Sequence, residues 1–425
     1  MAGYFIVLGD VKGQDNVEKS AKTILRELCQ YGEYSTNLVM AEGTSRWAST
    51  KVGTFADYFG MKENDFVFFF TDRKIYGVGK LVNIGNDCKY WSYAGASRPQ
   101  TYSAEEIVES RLTEHINPEN RCVCFFTPIE YYPHAVDMDE ALTAFPDSFK
   151  ALRTILGKSF IKLDDEEAMA LFSVLHRGNN TTSGDNGFVD WDPPTFDDSV
   201  HRSARIKIDA SPDTYRFTIE SLLVNIPRLN ESAIQEEMAV EAAVMNALSS
   251  DNHSPFDAMS YVSHQVSASP AKPVRYMEWM DVFGYSIDEY LLRENIPVHL
   301  AIKRYYVIEI KRDFLSLPQS RRRREPKALR EKKAIANQLM KYVDWVAKNY
   351  ANGNYPMVKG ILIANGFDKA FIDYCKKVCV RNYNNGYRNS TPAIWDDFEL
   401  IRYSFDGRNI SFEKIPKDNP QGASQ

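Results

Sequence analysis

The sequence predicts a two-domain protein of the α/β (α+β) class. Its 425 residues exceed the usual length of one domain, which is about 100–200 residues. The first part mixes short alternating strand patterns with amphipathic helices. The part after residue 200 has the order strand, strand, helix, strand, helix, which is typical of a mixed central sheet.

The composition is that of a folded, water-soluble protein, with 44% hydrophobic, 25% charged and 13% aromatic residues. The net charge of −6 argues against a uniformly basic surface but permits a local basic groove. No apolar run approaches the roughly 18–20 residues that cross a bilayer. The first residues lack the basic and cleavage regions of a signal peptide. We therefore expect a cytoplasmic protein without a membrane partner.

The domain boundary is predicted from a change in composition. Residues 177–200 are rich in Gly, Asn, Asp, Ser, Thr and Pro, which is typical of a linker. We expect one domain over residues 1–176, a second over 201–416, and a disordered tail over 417–425.

In the first domain, the buried strand FVFFFT leads into a turn at Asp72 and Arg73 and a second strand, IYGVGKLV. Gly77 and Gly79 allow another backbone or a ligand to approach closely. Trp47 precedes this hairpin and Trp91 follows it. Tryptophans in such positions most often belong to the core.

In the second domain, residues 205–210 (RIKIDA) have a strand pattern, and Asn230 is a candidate N-cap for a helix over 231–250. Strands are predicted around Asp281 and over residues 298–314. The helix pattern of 331–350, the apolar run VKGILIAN and the helix pattern of 367–380 complete the predicted core.

Three charged residues lie in these apolar strands. Glu309 and Lys311 are two apart, so they project from the same strand face. An isolated pair of this kind is usually solvated, but Asp281 is a second carboxylate in a hydrophobic strand, where an unpaired charge is costly. Carboxylates that converge from neighbouring strands suit Mg²⁺ or Mn²⁺. Lys311 would orient water or stabilise developing negative charge, as phosphodiester hydrolysis requires.

Two helices offer further polar residues. Gln338 and Tyr342 are one helical turn apart and can project toward the same sheet edge, although a packing face explains them equally well. Glu237 and Glu241 are also four apart. Either could supply a further metal ligand, with Glu237 preferred, but glutamate is also simply a good helix former.

This series of residues resembles the PD-(D/E)xK nuclease superfamily, and within it the catalytic domain of the NucS/EndoMS mismatch endonucleases, over roughly residues 230–380. The resemblance implies a mixed-sheet nuclease core with Asp281, Glu309 and Lys311 as catalytic residues. Gln338 and Tyr342 would support them, and Asp281, Glu309 and Glu237 would bind the metal. The interval between Asp281 and Glu309 is longer than the family's usual hairpin, so Asp288 is an alternative carboxylate.

A basic stretch separates the catalytic strand from the Gln/Tyr helix. Such runs are usually solvated surface, but beside a phosphodiesterase site they would contact DNA phosphates and supply affinity without sequence specificity. The expected phosphate-binding residues are Arg321, Arg322, Arg323, Arg324, Lys327 and Arg330.

Residues 2–175 resemble the YTH/EVE branch of PUA-like domains. The W-x-S-T run at residues 47–50, the FVFFFT strand, the G-x-G strand and the pair Trp91-Ser92 follow the family's order. The resemblance implies a PUA-like β-barrel with helices, in which Trp47 and Trp91 match the walls of an aromatic cage. A flipped methylated base would stack between the two indoles, with modest discrimination of about 1–3 kcal/mol for a methyl group.

Together these patterns predict a metal-dependent DNA endonuclease that recognises modified double-stranded DNA, as in modification-dependent restriction or phage defence. One alternative is a repair nuclease for mismatched or branched DNA. A second is a non-catalytic nucleic-acid-binding protein. A homodimer is expected on general grounds, because one active site cuts one strand at a time.

Overall fold

The protein is described here by a computed structural model, which divides into two compact units, Met1–Ser221 and Leu222–Gln425. This division lies later in the chain than the predicted linker, most of which falls outside the described residues. Both units contain helices and sheets, which confirms a mixed α and β fold. The structure describes residues 2–8, 11–12, 18–37, 56–91, 121–146, 148–149, 160–179, 198–210, 218–223, 226, 228–250, 253–268, 278–294, 296–317, 327–385 and 391–417.

The strands of the first unit form one large sheet, in the order β4-β8-β6-β5-β1-β9 with β7 paired to β8, and a small β2-β3 pair. The sheet is curled. Its two end strands approach each other, since the ring centroids of Tyr34 on β4 and Phe160 on β9 lie 5.4 Å apart. Among the described strands β4 and β9 do not pair, so the PUA-like barrel stays a prediction. The strands are β1 (Gly3–Val7), β2 (Val11–Lys12), β3 (Glu18–Lys19), β4 (Glu33–Asn37), β5 (Phe66–Thr71), β6 (Lys74–Leu81), β7 (Lys89–Trp91), β8 (Arg121–Asp137) and β9 (Phe160–Leu163).

The predicted hairpin is confirmed as β5 and β6. Asp72 and Arg73 have φ values of 51° and 60°, the left-handed conformation that a tight two-residue hairpin favours. Gly79 is needed for close packing, because a Cβ there would lie 2.9 Å from the Phe126 ring of the neighbouring strand. The close approach expected at this glycine is therefore made by the protein itself.

The helices of the first unit include one that the sequence pattern did not predict. Residues 205–210 were expected as a strand, but they lie in α4, where His201, Ala204 and Ile208 are buried at helical spacing while Ile206 is 66% exposed. The helices are α1 (Ala21–Tyr31), α2 (Met138–Ala144), α3 (Asp165–Asn179) and α4 (Asp198–Ala210), and α5 (Ile219–Leu223) crosses the division between the units.

The second unit contains a six-stranded sheet in the order β10-β11-β12-β14-β18-β19. β11 is antiparallel to both of its neighbours, β10 and β12. β12, β14 and β18 run parallel to one another, and β19 is antiparallel to β18. The strands are β10 (Tyr261–Ser267), β11 (Trp279–Ile287), β12 (Ile302–Ile310), β13 (Phe314–Leu315), β14 (Val358–Ala364), β15 (Gly366–Phe367), β16 (Arg381–Asn385), β17 (Thr391–Trp395), β18 (Phe398–Phe405) and β19 (Ile410–Ile415).

The longest helix of this unit, α9, packs on the sheet through Leu339, Val343 and Val346, which are fully buried at helical spacing. It matches the predicted helix over 331–350, as β14 matches VKGILIAN. The helices are α6 (Glu237–Ser249), α7 (Glu289–Arg293), α8 (Val298–Ala301), α9 (Lys327–Asn349) and α10 (Lys369–Val378), with a 3₁₀ turn at Tyr355–Met357.

Two predicted boundaries in this unit are wrong. Asn230 does not cap α6. Its side chain accepts a hydrogen bond from the backbone N–H of Ser232 in a local turn, and the helix begins only at Glu237. Residues 298–301 form α8 rather than the start of a strand, because Pro297 accepts the first backbone hydrogen bonds of a helical turn.

Within the described residues, no helix is long and apolar enough to cross a membrane.

Candidate functional site

The end of β12 brings the predicted catalytic residues together. Val282 of β11 lies opposite Ile308 of β12, so Asp281 faces the last residues of β12. The backbone N–H of Ile310 donates a 2.7 Å hydrogen bond to Asp281 Oδ2. This bond ties the Asp281 carboxylate to the segment between Glu309 and Lys311.

Lys311 is the centre of an ion-pair cluster. Its Nζ lies 2.8 Å from Glu309 Oε1, 3.2 Å from Glu237 Oε1 and 3.6 Å from Asp281 Oδ2. The Glu309 side chain is fully buried and the Lys311 side chain is 20% exposed. The cluster is therefore shielded from water on the strand side and reachable at the lysine.

Helix α6 contributes both candidate glutamates. Glu237, Glu241 and Asp281 each offer one carboxylate oxygen, and these oxygens all lie within 4.8 Å of one another. The backbone N–H of Arg312 donates to Glu237 Oε2 at 3.2 Å. Glu241 is nearly fully buried and is hydrogen-bonded to His264 Nε2. The structure therefore does not choose one glutamate over the other but places both beside Asp281.

The crowding of negative charge changes the protonation of the cluster. Burial, and then the nearby Glu241, raise the pKa of Asp281 to about 7. Burial, and then Asp281, raise the pKa of Glu309 well above its usual range. For Lys311 burial alone would lower the pKa, but Asp281, Glu309 and Glu237 raise it above its usual value. The lysine is therefore a permanent cation among carboxylates that repel one another.

These residues fit a divalent cation. Three carboxylates face one ammonium group, and Glu241 lies close to two of them. Hard oxygen ligands of this kind suit Mg²⁺ or Mn²⁺. In the described part of the chain, Glu309 Oε2 is buried without a hydrogen-bond partner. A buried carboxylate oxygen without a partner is costly, and a cation in the cluster would reduce that cost.

Gln338 and Tyr342 also come together, through a 3.0 Å hydrogen bond from Gln338 Nε2 to the Tyr342 hydroxyl. Burial raises the pKa of Tyr342 to about 12, with smaller contributions from Glu309 and Asp281. The hydroxyl is thus a neutral donor or acceptor on the side of α9 that lies near the carboxylates.

The alternative carboxylate, Asp288, has a structural role. It is the N-cap of α7, where its side chain accepts a hydrogen bond from the Tyr290 backbone N–H at 3.0 Å, and it forms an ion pair with Lys303 at 3.4 Å. A helix cap accounts for this residue.

The remaining predicted residues are not described in atomic detail. Trp47 and Arg321, Arg322, Arg323 and Arg324 lie outside the described residues. Trp91 ends β7, and Lys327 and Arg330 lie in the first turns of α9, but their side chains are also outside the description. Their proposed roles stay predictions.

One residue of the site, His264, was missed by sequence reasoning. It lies in the apolar strand β10 and contacts Glu241 across 23 positions of the chain. The available signal was a lone histidine in a buried strand, which most often reflects a satisfied core residue rather than a site.

No protein-family model and no curated protein matches the sequence. Among solved structures, human THYN1 in complex with DNA that contains 5-methylcytosine is similar at 11% identity and a TM-score of 0.26, over 41% of this chain and 98% of that chain. The DUF55 domain of human thymocyte nuclear protein 1 is similar at 12% identity and a TM-score of 0.25, over 41% and 98%. A protein from Pseudomonas putida is similar at 12% identity and a TM-score of 0.21, over 41% and 99%. Similarity at this level supports no conclusion about the ligand of this chain.

Proposed function

We propose that this chain is a divalent-metal-dependent endonuclease that hydrolyses phosphodiester bonds of DNA. The observation that carries the proposal is the contact of Lys311 with three carboxylates, Glu237, Asp281 and Glu309, within 3.6 Å. A purely structural ion pair needs one carboxylate per lysine. Three of them, with Glu241 behind, leave an excess of negative charge that suits a bound cation.

Asp281, Glu237 and Glu241 would hold the cation, with Glu309 as a fourth candidate ligand. A bound Mg²⁺ or Mn²⁺ supplies Lewis acidity toward a phosphodiester and makes water more acidic. Lys311 stays protonated beside three carboxylates, so its ammonium group can stabilise the negative charge that develops on the phosphate. The backbone N–H groups of Ile310 and Arg312 hold Asp281 and Glu237 in place.

The neighbouring positions of Asp281 and Glu309 on one mixed sheet support the resemblance to PD-(D/E)xK nucleases. The Gln338–Tyr342 hydrogen bond supports their assignment as a pair that lines the same site. In this proposal, the basic residues from Arg321 to Arg330 contact the DNA backbone and make binding weaken as the salt concentration rises.

The choice of DNA is assigned to the first unit. The motif order around Trp47 and Trp91 supports a domain that holds a flipped modified base between two indoles. A methylated base would then direct cleavage by the second unit, which is the logic of a modification-dependent restriction enzyme.

The test is digestion of duplexes that share one sequence and are unmethylated, methylated at adenine N6, methylated at cytosine C5, or mismatched, each with Mg²⁺ or with EDTA. We expect Mg²⁺-dependent cleavage of a methylated duplex by the wild-type chain, and none by Glu309→Ala or Lys311→Ala at unchanged DNA binding. Cleavage by both variants refutes the assigned active site. Cleavage confined to the mismatched duplex refutes the modified-base reader and favours a repair nuclease.

A further inference from the structure

A buried histidine stands directly behind the carboxylate cluster. His264 lies on β10, and its side chain is fully buried, as that of Glu241 nearly is. The two residues form a hydrogen bond between His264 Nε2 and Glu241 Oε2. An ionised carboxylate, the form that binds a metal, can only accept, so Nε2 is the donor to ionised Glu241.

This contact distinguishes the two helix glutamates, because Glu241 has a partner inside the core and Glu237 does not. Glu241 is held at its oxygen by a ring that the core encloses, and its carboxylate is within 4.8 Å of ligand oxygens of Glu237 and Asp281. The Glu237 side chain is 35% exposed and shares its oxygens between Lys311 and the Arg312 backbone N–H. Glu241 is thus the more deeply buried of the two.

The backbone of β10 is distorted at this point. His264 lies opposite Val282, and Val266 lies opposite Met280, so Gln265 lies across from Asp281. Gln265 has a φ of 50°, a left-handed conformation that is unfavourable for a non-glycine residue and often marks functional sites. The strand therefore departs from regular geometry at Gln265, which follows His264 and lies across from Asp281.

We propose that His264 is a positioning residue for divalent-metal binding, which orients Glu241 as the helix ligand that partners Asp281. This inference rests on the proposed function, since it assumes that the cluster binds a cation. Hydrogen bonds to metal ligands from residues behind them set ligand orientation, and removing such a partner typically lowers metal affinity about 10–100-fold.

The test is a titration of the full-length chain with Mn²⁺, followed by calorimetry, without DNA. We expect His264→Leu and His264→Asn to weaken Mn²⁺ binding about 10–100-fold, because neither can place a donor at Glu241. His264→Gln, which keeps an amide N–H near the position of Nε2, should restore most of the lost affinity. His299→Leu removes an exposed histidine of the same unit and should leave the affinity unchanged. Near-ultraviolet circular dichroism checks that each variant is folded, and His264→Asn decides the question if His264→Leu does not fold.

Affinities of His264→Leu and His264→Asn equal to that of the wild type overturn the inference and leave the proposed function intact. Failure of His264→Gln to recover affinity also overturns it, because the histidine would then act through packing alone. A wild-type chain that binds no Mn²⁺ overturns the metal site itself, and with it both proposals.

Discussion

Two lysines of the central sheet are surrounded by carboxylates, but in different proportions. Lys359 on β14 lies 2.7 Å from Asp257 Oδ2 and 2.8 Å from Glu399 Oε1, and Lys414 Nζ lies 2.9 Å from the same Glu399 oxygen. That group contains two ammonium groups and two carboxylates. At the end of β12, Lys311 alone faces three carboxylates, and Glu241 lies behind them.

We expect the difference to separate an ion network that stabilises the fold from the cluster that we propose binds a cation. Unpaired oxygens do not make this distinction, since Glu399 Oε2 and Glu309 Oε2 both lack a hydrogen-bond partner among the described residues. The balance between positive and negative groups does distinguish the two clusters. Around Lys359 the number of ammonium groups equals the number of carboxylates. The pKa of Asp257 is lowered by Lys359, despite the opposing effect of burial. Around Lys311 the pKa of Asp281 is raised to about 7, by burial first and then by Glu241.

The largest expected effect is on cleavage. Lys311→Met should reduce Mg²⁺-dependent DNA cleavage about 100–1,000-fold, the range seen when one electrostatic stabiliser of a transition state is removed. Lys359→Met is the matched control and should keep the wild-type rate per folded molecule. The comparison fails if both variants lose activity to the same extent, measured as initial rates on one DNA substrate.

The second effect is on stability and should have the opposite pattern. Lys359→Met leaves Asp257 and Glu399 partly buried beside fewer positive charges, and should lower the free energy of unfolding by about 2–3 kcal/mol, less than for a fully buried pair. Urea unfolding monitored by circular dichroism measures this change. A loss below about 0.5 kcal/mol, the usual size for a surface residue, would mean that this network does not stabilise the fold.

A third effect concerns pH. Because the pKa of Asp281 is raised from 3.8 to about 7, the metal-free protein should lose stability as pH rises from about 4 to about 7, where the buried carboxylate ionises. Metal binding requires the ionised form, so Mn²⁺ affinity should rise over the same range, by up to tenfold per pH unit for one displaced proton. Asp281→Asn should weaken the stability trend and leave the part that Glu309 contributes, since the pKa of Glu309 is also raised. A wild-type Mn²⁺ affinity that does not change between pH 6 and pH 8 would contradict this assignment.

The smallest effect is expected at Asp288. Its side chain caps α7, so Asp288→Ala should lower the stability slightly through loss of the cap, with no change in cleavage. Thermal unfolding and the cleavage assay measure the two quantities. A loss of cleavage comparable to that of Asp281→Asn would return Asp288 to the site.

The sequence predicted those parts of the site that local patterns encode. Asp281 and Glu309 are charged residues within largely apolar strand patterns, and residues 331–350 repeat apolar residues at helical spacing, so these elements and their polar side chains could be placed. RIKIDA alternates equally well, yet it is helical, because six residues are too few to separate the two periods and the burial of Ala204 and Ile208 decides.

Other features depend on contacts that no local pattern carries. The hydrogen bond between His264 and Glu241 joins a strand to a helix that precedes it, and the choice between Glu237 and Glu241 depends on the rotation of α6 about its axis. Asn230 does form a polar turn with Ser232, as its sequence pattern indicates. The chain then forms a β-bridge between Arg228 and Ile234, and the helix begins only at Glu237.

A direct count of bound divalent cations tests the central contrast most sharply. Mn²⁺ binding followed by electron paramagnetic resonance should show a site in the wild type and in Glu399→Gln, which alters the balanced network, and no site in Asp281→Asn. Equal binding by the wild type and Asp281→Asn, or loss of binding in Glu399→Gln alone, would contradict the assignment of the Lys311 cluster as the metal centre.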